Sequence, residues 1–423
     1  MDAVYVLNRN LESIAMIDTY NSLIWASRYR DVGDCELYLP ATTEALAVLK
    51  KGNYLMREDD EMVCQIKYIE LKTDVEDGNF LIVKGVDVKG WLDQRIVWNT
   101  TMSKGSLEDF IKEMVDGALG NTTEERQMVN ERGERIFFIG ETVGFPVKLQ
   151  TQVSYRNIGA KVRDYCLTYG WGYKVELKNG AFYFNLTEGT DRTDEVVFSE
   201  EYENLAATSY IEDETNMGNV ALIAGEGEGA ARSKQRCGEA SSDSRYEIFV
   251  DAKDISKTIT YEELIKEFPG GHIVNLEYKV NALDIQIMTE LQAAELAEEF
   301  PDGHIVTIDG VQYYRIPDAV VADTESNAPE DMDEVILRDV IYDVYLLARG
   351  FEKLAEYGAV TSFNGSIEPR TSFTYKKDFF LGDLVTVRSN YGISVGARIS
   401  EVVEVNDDNG YSIEPKFEYI QED

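Results

Sequence analysis

The sequence is short of the residues that most often do chemistry or bind metal. It has two histidines, His272 and His304, in 423 residues. No HExxH pair is present, so the helical zinc-protease arrangement is absent. Its four cysteines, Cys35, Cys64, Cys166 and Cys237, are far apart, and none forms a CxxC pair. A structural zinc site needs closely spaced ligands, so none is expected, and free cysteines suit synthesis in a reducing cytoplasm. Basic side chains are also scarce: 41 Lys and Arg stand against 78 Asp and Glu, a formal net charge of -37. A sequence-independent DNA or RNA binder needs a basic surface to neutralise phosphates. Anionic membrane surfaces are disfavoured for the same reason. No stretch approaches the roughly 18 consecutive apolar residues of a membrane helix. The N-terminus has an acid at position 2 and no basic leader before a long apolar core, so no secretory signal is expected.

What is present is a chain that can fold. Hydrophobic residues make up 44%, whereas disorder needs low hydrophobicity as well as high charge. The length implies about two to four domains. Residues 1–100 read as meandering β: CELYLP (35–40), YLMRE (54–58), MVCQIKYIELKT (62–73) and NFLIVKGVDV (79–88), with a short helix at 43–50. The EDG turn at 76–78 implies a hairpin, and the meander a small barrel or sandwich. The pattern changes near 100. Ser106 caps a helix over 107–119 that puts Leu107, Phe110, Ile111, Met114 and Val115 on one face, and Gly120 ends it. A polar loop (121–135), a helix (158–170) and a hairpin (172–186) turning at Asn179-Gly180 complete an α/β module.

Strands resume over 195–213, 219–227 and 245–253, with a polar loop at 227–244. Residues 254–335 read as an insertion with helices at 261–268 and 283–300. Within it, Glu267-Phe268-Pro269-Gly270-Gly271-His272-Ile273-Val274 recurs as Glu299-Phe300-Pro301-Asp302-Gly303-His304-Ile305-Val306. Two copies are too few for a solenoid. They mark either a duplicated small unit or two similar helix-to-strand turns. The acid-rich segment 317–334 reads as a solvated loop, and 335–358 as a long helix closed by Gly358. Four alternating strands follow, with turns at 390–392 and 407–410.

Each motif that suggests chemistry fails on its context. Gly392–Gly396 matches GxSxG, but a nucleophile elbow needs a strand-to-helix turn with a His and an acid nearby; here more strand follows. Gly225–Gly229 places two carboxylates inside a would-be phosphate loop and lacks the Walker lysine. Asp407, Asp408 and Asn409, with Glu414, lack the spacing and flanking helices of a calcium loop. Asp59, Asp60 and Glu61 read as an exposed loop, with a cation site as the rival. His272 and His304 would make a metal pair only if the two repeat copies faced each other. No spacing singles out two acids for glycoside hydrolysis. Tyrosines at strand positions, such as Tyr54, Tyr68, Tyr173, Tyr183 and Tyr210, suit β surfaces and interfaces, and a carbohydrate platform would use the same residues. No catalytic residue, cofactor or metal ligand is assigned.

Taken together, several segments carry a family resemblance. Ile17–Pro40 has a Trp-containing strand, then Arg-Tyr, then Gly and a strand ending in Pro. Gly85–Trp98 has a Gly strand, a Leu-rich turn and Arg-Ile. Asp191-Arg192-Thr193, Val197-Phe198-Ser199 and Asn204-Leu205 follow. Then come Asn219-Val220, Gly225-Glu226-Gly227, Arg232, Arg245–Asp254 and Leu381–Val387. In this order the chain resembles the siphovirus-type tail hub family, the structural N-terminal part of tail-associated lysins. Residues 256–330 are covered least.

The resemblance implies a β-rich α+β fold of two β-barrel-like hub domains interrupted by two smaller α/β modules. The expected division is hub domain I at 1–100, α/β module II at 101–190, strands of hub domains I and III at 191–253, α/β insertion IV at 254–358, and completion of hub domain III at 359–423. It also implies a phage or prophage baseplate hub at the virion tail tip. There it would form a homotrimeric ring with a central channel, joined to the distal tail protein and other tail-tip proteins. DNA would pass without specific binding, and a carboxylate-lined wall would repel its phosphates. The chain ends directly after its last strand, so no appended hydrolase, no enzymatic activity and no membrane insertion is expected. The rival expectations are a tail-associated cell-wall hydrolase and a receptor-binding tail module.

Overall fold

The computed structural model describes residues 3–74, 78–103, 105–324, 334–367 and 373–419. The fold is β-rich α+β, and its frame is a 13-stranded sheet. From one edge the strands run Leu205–Asp213, Val360–Ile367, Gly410–Tyr419, Ser394–Asp407, Ser22–Arg28, Asp34–Pro40, Gly78–Asp87, Val63–Asp74, Tyr54–Arg57, Val4–Leu7 and Ser13–Ile17. Leu384–Arg388 pairs beside Ser394–Asp407 and carries Val197–Ser199 in parallel.

N-terminal and C-terminal strands therefore meet in one sheet, at Ser22–Arg28 against Ser394–Asp407, with Trp25 opposite Glu404. Among the described residues no pairing closes either half on itself. Alternation in the sequence sets which face of a strand is buried; closure depends on tilt and stagger between distant strands. In Asp34–Pro40 the buried residues are Cys35, Leu37 and Leu39, at strict period two. They join Trp25, Leu55, Ile66 and Val83 in one core. Phe198, Phe379, Val385, Ile399 and Phe417 form a second core in the C-terminal half. Gly85 is glycine for a steric reason. A Cβ there would stand 2.8 Å from Cys35 Sγ and 2.7 Å from Cys64 Cβ. Burial, then the Cys35 thiol, push the Cys64 thiol well up. The residues 76 and 77 of the expected turn lie outside the described residues, but the hairpin they join is formed.

Helix α1 spans Thr43–Val48 and α2 spans Leu107–Leu119. Ser106 caps α2 by accepting from Asp109 N at 3.2 Å, and all five expected apolar positions are buried. Glu108, on the same helix, is fully buried. Its carboxylate accepts from the N–H groups of Val143, Gly144 and Phe145 at 2.7, 2.8 and 3.1 Å and from Lys112 at 2.8 Å. Burial opposes its ionisation, but Lys112 and the three N–H groups hold the carboxyl below its usual range. Helix α3 spans Ile158–Thr168. In the hairpin of Gly172–Lys178 and Ala181–Thr187, Asn179 and Gly180 have φ of 51° and 74°, which a type I′ turn requires.

Helix α4 spans Tyr261–Glu267, α5 Glu290–Glu299 and α6 Asp339–Glu356. The repeat is two copies of a helix, a Pro turn and a hairpin. The Phe268 carbonyl accepts from Tyr278 Oη at 2.7 Å, and the Phe300 carbonyl from Tyr314 Oη at 2.8 Å. Gly271 and Gly303 lie flat on those two rings, where a Cβ would come within 2.2 Å. Residues 283–286, expected to be helical, end the strand Glu277–Gln286. Leu283 and Ile285 are both buried, a period-two signal masked by the strong helix formers after it. Likewise Glu334–Leu337 is a strand, and Arg338 stands at the N-cap position of α6 without a side-chain capping bond. Residues 317–324, read as loop, continue the strand Val311–Thr324; 325–333 lie outside the described residues.

Residues 191–253 divide between two bodies. Val197–Ser199 and Leu205–Asp213 join the large sheet, whereas Val220–Ala224, Lys234–Cys237 and Glu247–Asp251 form a separate three-stranded sheet. That sheet shares a core with α6 and the repeat units, including Ile223, Val250, Leu264, Tyr278, Tyr314 and Leu346.

Asp343 of α6 gives this body a pH dependence. Burial, opposed by Gln235 and reinforced by Asp339, pushes its carboxyl up to about 6. A folded value above the ordinary 3.8 means that its contribution is most favourable below 3.8 and is lost as pH rises through 6. Asp343→Asn is therefore expected to stabilise the protein at pH 7.5 by about 1–3 kcal/mol. It should do so much less at pH 4.5, as read from urea midpoints at the two pH values.

Candidate functional site

Arg28-Tyr29-Arg30 leaves the end of the Ser22–Arg28 strand, and each side chain takes a different partner. Arg28 reaches Asp34 at 2.5 Å and Glu401 at 3.3 Å. Arg30 donates to the Trp171 carbonyl at 3.0 Å and to Glu418 at 2.6 Å. Tyr29, 3% exposed, sits between them. Its hydroxyl donates to the Thr187 carbonyl at 3.0 Å and accepts from Gly189 N at 3.2 Å. The ring packs where Gly172 and Gly382 have no side chain: a Cβ on either would come within 2.3 Å of it. Arg398 lies 5.2 Å from the ring centroid and donates to the Gly382 carbonyl at 2.7 Å. One side chain thus joins the end of the Ser22–Arg28 strand to the hairpin of residues 172–187 and to the C-terminal half of the sheet.

The segment that leaves the Ala181–Thr187 strand is fixed beside it. Gly189 approaches Gly382 so closely that a Cβ would stand 1.7 Å from the Gly382 oxygen. Asp383 accepts from Thr190 N at 2.9 Å, Arg192 Nε at 2.8 Å and Phe380 N at 2.9 Å. The Asp191-Arg192-Thr193 and Leu381–Val387 segments, nearly 200 positions apart in sequence, therefore hold each other. Asn204 closes the next turn, accepting from Ser199 N at 2.7 Å and donating to the Val197 carbonyl at 2.9 Å.

A cleft of about 580 Å³ opens at this junction, lined by Tyr29, Asp60, Lys89, Lys174, Arg192 and Lys376 among others. Most of its charges are paired. Asp59 and Asp60 do bind cations, but the cations are side chains. Arg57 takes Asp59 at 2.9 and 2.5 Å and Glu404 at 3.1 and 3.2 Å. Lys376 takes Asp59 at 3.0 Å, Asp60 at 2.6 Å and Glu404 at 3.1 Å. Glu61 takes Lys174 at 2.7 Å. Burial opposes the charge on Lys376, but Asp60 and Glu404 hold its ammonium above its usual value. Burial likewise lowers the Lys89 ammonium, with Asp87 opposing. Such an arrangement fixes modules to one another.

A second joint carries another motif residue, Asp254. It pairs with Arg156 at 2.5 Å and Arg349 at 3.1 Å, and Arg349 and Lys161 both reach buried Glu352. This ties α3 of module II to α6. Arg232 ties the glycine loop down, donating to the Gly225 carbonyl at 2.8 Å and to Asp251 at 2.6 Å. Gly225 itself lies against the Tyr342 hydroxyl, where a Cβ would come within 2.3 Å. Of the loop that resembled a phosphate cradle only Gly225 is buried; residues 226–229 are exposed.

The remaining sequence candidates stay apart. Gly392–Gly396 lies at a turn and the start of the Ser394–Asp407 strand, without a helix after it. Asp407 accepts from Asn409 N at 2.8 Å within its turn, and Glu414 is on the facing strand, opposite Val403. His272 and His304 are on strands separated by the two long strands Glu277–Gln286 and Val311–Thr324, so they do not face each other. Among the described residues no group of three His, Cys, Asp or Glu is placed to hold a metal ion. None of the described helices is long and apolar enough to cross a membrane. Tyr54 and Tyr173 are core residues, while Tyr68 is exposed. The Arg57–Glu404 pair was not legible, because its partners are 347 positions apart. The charge run at 59–61 was its only trace.

Residues 3–417 match the sequence profile of a family described as siphovirus ReqiPepy6 Gp37-like protein. No curated protein sequence matches the chain. Among solved structures, the tail protein from Neisseria meningitidis MC58 is similar at 9% identity and a TM-score of 0.49, covering 98% of this chain and 96% of that one. The 43 kDa tail protein of prophage MuSo2 from Shewanella oneidensis has 9% identity and a TM-score of 0.49, covering 98% of each chain. The prophage tail protein gp18 from Listeria monocytogenes EGD-e has 9% identity and a TM-score of 0.47, covering 98% of this chain and 94% of that one.

Proposed function

From the premise that the chain belongs to the siphovirus ReqiPepy6 Gp37-like protein family, we propose that it is a structural hub of a phage or prophage tail tip. It assembles as a homotrimeric ring on the distal tail protein and lets DNA pass through a central channel. In this reading each half of the large sheet contributes one barrel-like unit to the ring, and the work is done by interfaces, without a catalytic site.

The observation that carries the reading is the state of the sheet's edges. Among the described residues its outermost strands, Leu205–Asp213 at one end and Ser13–Ile17 at the other, each pair on one side only. Ile211 is exposed on the first, and Ile14 and Met16 on the second. Unpaired, partly apolar edges are a liability in a free monomer. A cyclic head-to-tail assembly meets every edge at once. The charge of -37 suits a channel wall that phosphates do not stick to.

Light scattering of the native protein, alone and with its neighbouring tail protein, tests this. The expected species contains three 47.9-kDa chains. A complex that contains one copy at every concentration overturns the ring. Clearing of bacterial cell walls in a zymogram, abolished by changing one carboxylate, would overturn the non-enzymatic role.

A further inference from the structure

Acids outnumber bases 78 to 41 in this chain, so a surface cation ordinarily finds a carboxylate. Arg9, Lys51, Lys67, Arg95 and Arg126 form no ion pair among the described residues; Arg9, Lys67, Arg95 and Arg126 contact carbonyls, an amide oxygen and a thioether instead. These five gather around one loop. Arg95 reaches Met128 Sδ at 3.7 Å. Met128, Val129 and Asn130 wall a cleft of about 510 Å³ that also holds Arg9, Lys51 and Lys67. On the same loop, Arg126 donates to the Ile96 carbonyl at 2.8 Å, and its guanidinium lies over the Trp98 ring, 4.2 Å from the centroid. Trp98 and Arg126 line a neighbouring cleft of about 240 Å³.

Two of these cations are held in place. Arg9 donates to the Lys51 carbonyl at 3.2 Å and packs on Gly52, where a Cβ would come within 2.6 Å of its Nε. Lys67 donates to Gln65 Oε1 at 2.5 Å. Burial, then the nearby Arg95, push the Arg126 guanidinium below its usual value, so an anion there would be favourable. Trp98 is 50% exposed, whereas Trp25, Trp91 and Trp171 are at most 3% exposed. Glu113 is engaged by Lys266 at 2.7 Å and Glu263 by the cap of α4, while Glu131 lines the larger cleft and Glu125 adjoins Arg126.

We propose that this face binds an anionic saccharide polymer, one sugar ring stacking on Trp98 and successive phosphate or carboxylate groups taken by Arg126, Arg95, Lys51, Lys67 and Arg9. A half-exposed indole with one cation already stacked on it offers its remaining apolar surface to a sugar ring, and cations in two neighbouring clefts beside one loop match a repeating anion. Duplex DNA hides its ring faces inside the base stack, so it has none to lay on Trp98. The proposal goes beyond the hub reading and does not rest on ring assembly.

Trp98 is its own reporter, because the other three tryptophans are buried. The intact protein is titrated with glycosylated poly(glycerol phosphate), with oligogalacturonate, with neutral dextran and with single-stranded oligo(dT). At least one acidic saccharide is expected to shift the tryptophan emission, with an affinity that falls as salt rises. Whichever acidic polymer binds identifies the anion as phosphate or carboxylate. Trp98→Ala, followed by calorimetry, and Lys51→Glu with Lys67→Glu, followed by emission, should each weaken binding about tenfold. All three positions are exposed, and circular dichroism confirms that each variant is folded. The proposal is overturned if neither acidic saccharide binds, if dextran or oligo(dT) binds as tightly, or if the variants keep full affinity.

Discussion

Tyr29→Ala is expected to destabilise the protein by about 3–5 kcal/mol, the range for removing a buried aromatic ring. Three features place it at the upper end. The ring fills a space bounded by two glycines, Gly172 and Gly382, which have no side chains to swing in, while the nearby Arg398 is held by the Gly382 carbonyl. Its hydroxyl joins the Thr187 carbonyl to Gly189 N, and both would lose their partner. The backbone cannot close up either, because Gly189 already lies against the Gly382 carbonyl. Tyr29→Phe keeps the ring and should cost only about 1–2 kcal/mol. Urea unfolding gives the two magnitudes. Amide exchange locates them: faster exchange at 187–190 and 380–383 is expected in Tyr29→Ala, with 272–316 unchanged. If exchange rises equally everywhere, Tyr29 is an ordinary core residue and not the joint between modules.

The family match covers the repeat region, which the motifs covered least, so the siphovirus resemblance extends over nearly the whole chain. How far the structure was legible depended on whether the cause was local. The α2 helix and the Asn179-Gly180 hairpin are set by a cap, a turn and a short-range period, and each was read within a residue or two. The start of α6 was misplaced because Val335, Ile336 and Leu337 continue an apolar run that suits a helix and a strand equally. The sheet pairing gives the reason: Glu334–Leu337 finds partners in both Thr258–Thr260 and Val311–Thr324. At the junction, sequence motifs marked Arg28-Tyr29, Arg192 and Leu381–Val387 but gave no reason for them. The reasons are contacts across 150 to 390 positions, such as Tyr29 with Thr187 and Arg30 with Glu418. Glycines 172 and 189 carried no signal, because a glycine excluded by a distant ring or carbonyl looks like any other.

Glu404→Gln is expected to cost about 3–5 kcal/mol, the range for removing one partner of a buried ion pair. The side chains of Arg57 and Glu404 are only 2% and 5% exposed. Without the carboxylate, Arg57 keeps Asp59, which is 47% exposed, and Lys376 loses one of its three acids. Two like charges would then face each other across the seam where the halves of the sheet meet. Replacing Arg57 and Glu404 together by methionine should cost much less than the two single changes combined, since no charge is left unpaired. The pH dependence separates this latch from simple packing. Burial works against Asp59, but Arg57 and Lys376 hold its carboxyl below the ordinary 3.8. A depressed acid contributes stability that is present above 3.8 and is lost as pH falls through the lower folded value. Lys376 is raised above the ordinary 10.5, so its contribution is present below 10.5 and is lost as pH rises through the higher folded value. Between those limits the latch is intact, and the paired Met variant should show a flatter stability profile at both ends than the wild type. An unchanged profile would mean that Asp59 and Lys376 gain nothing from Arg57 and Glu404, and that the seam is held by its strand pairing alone.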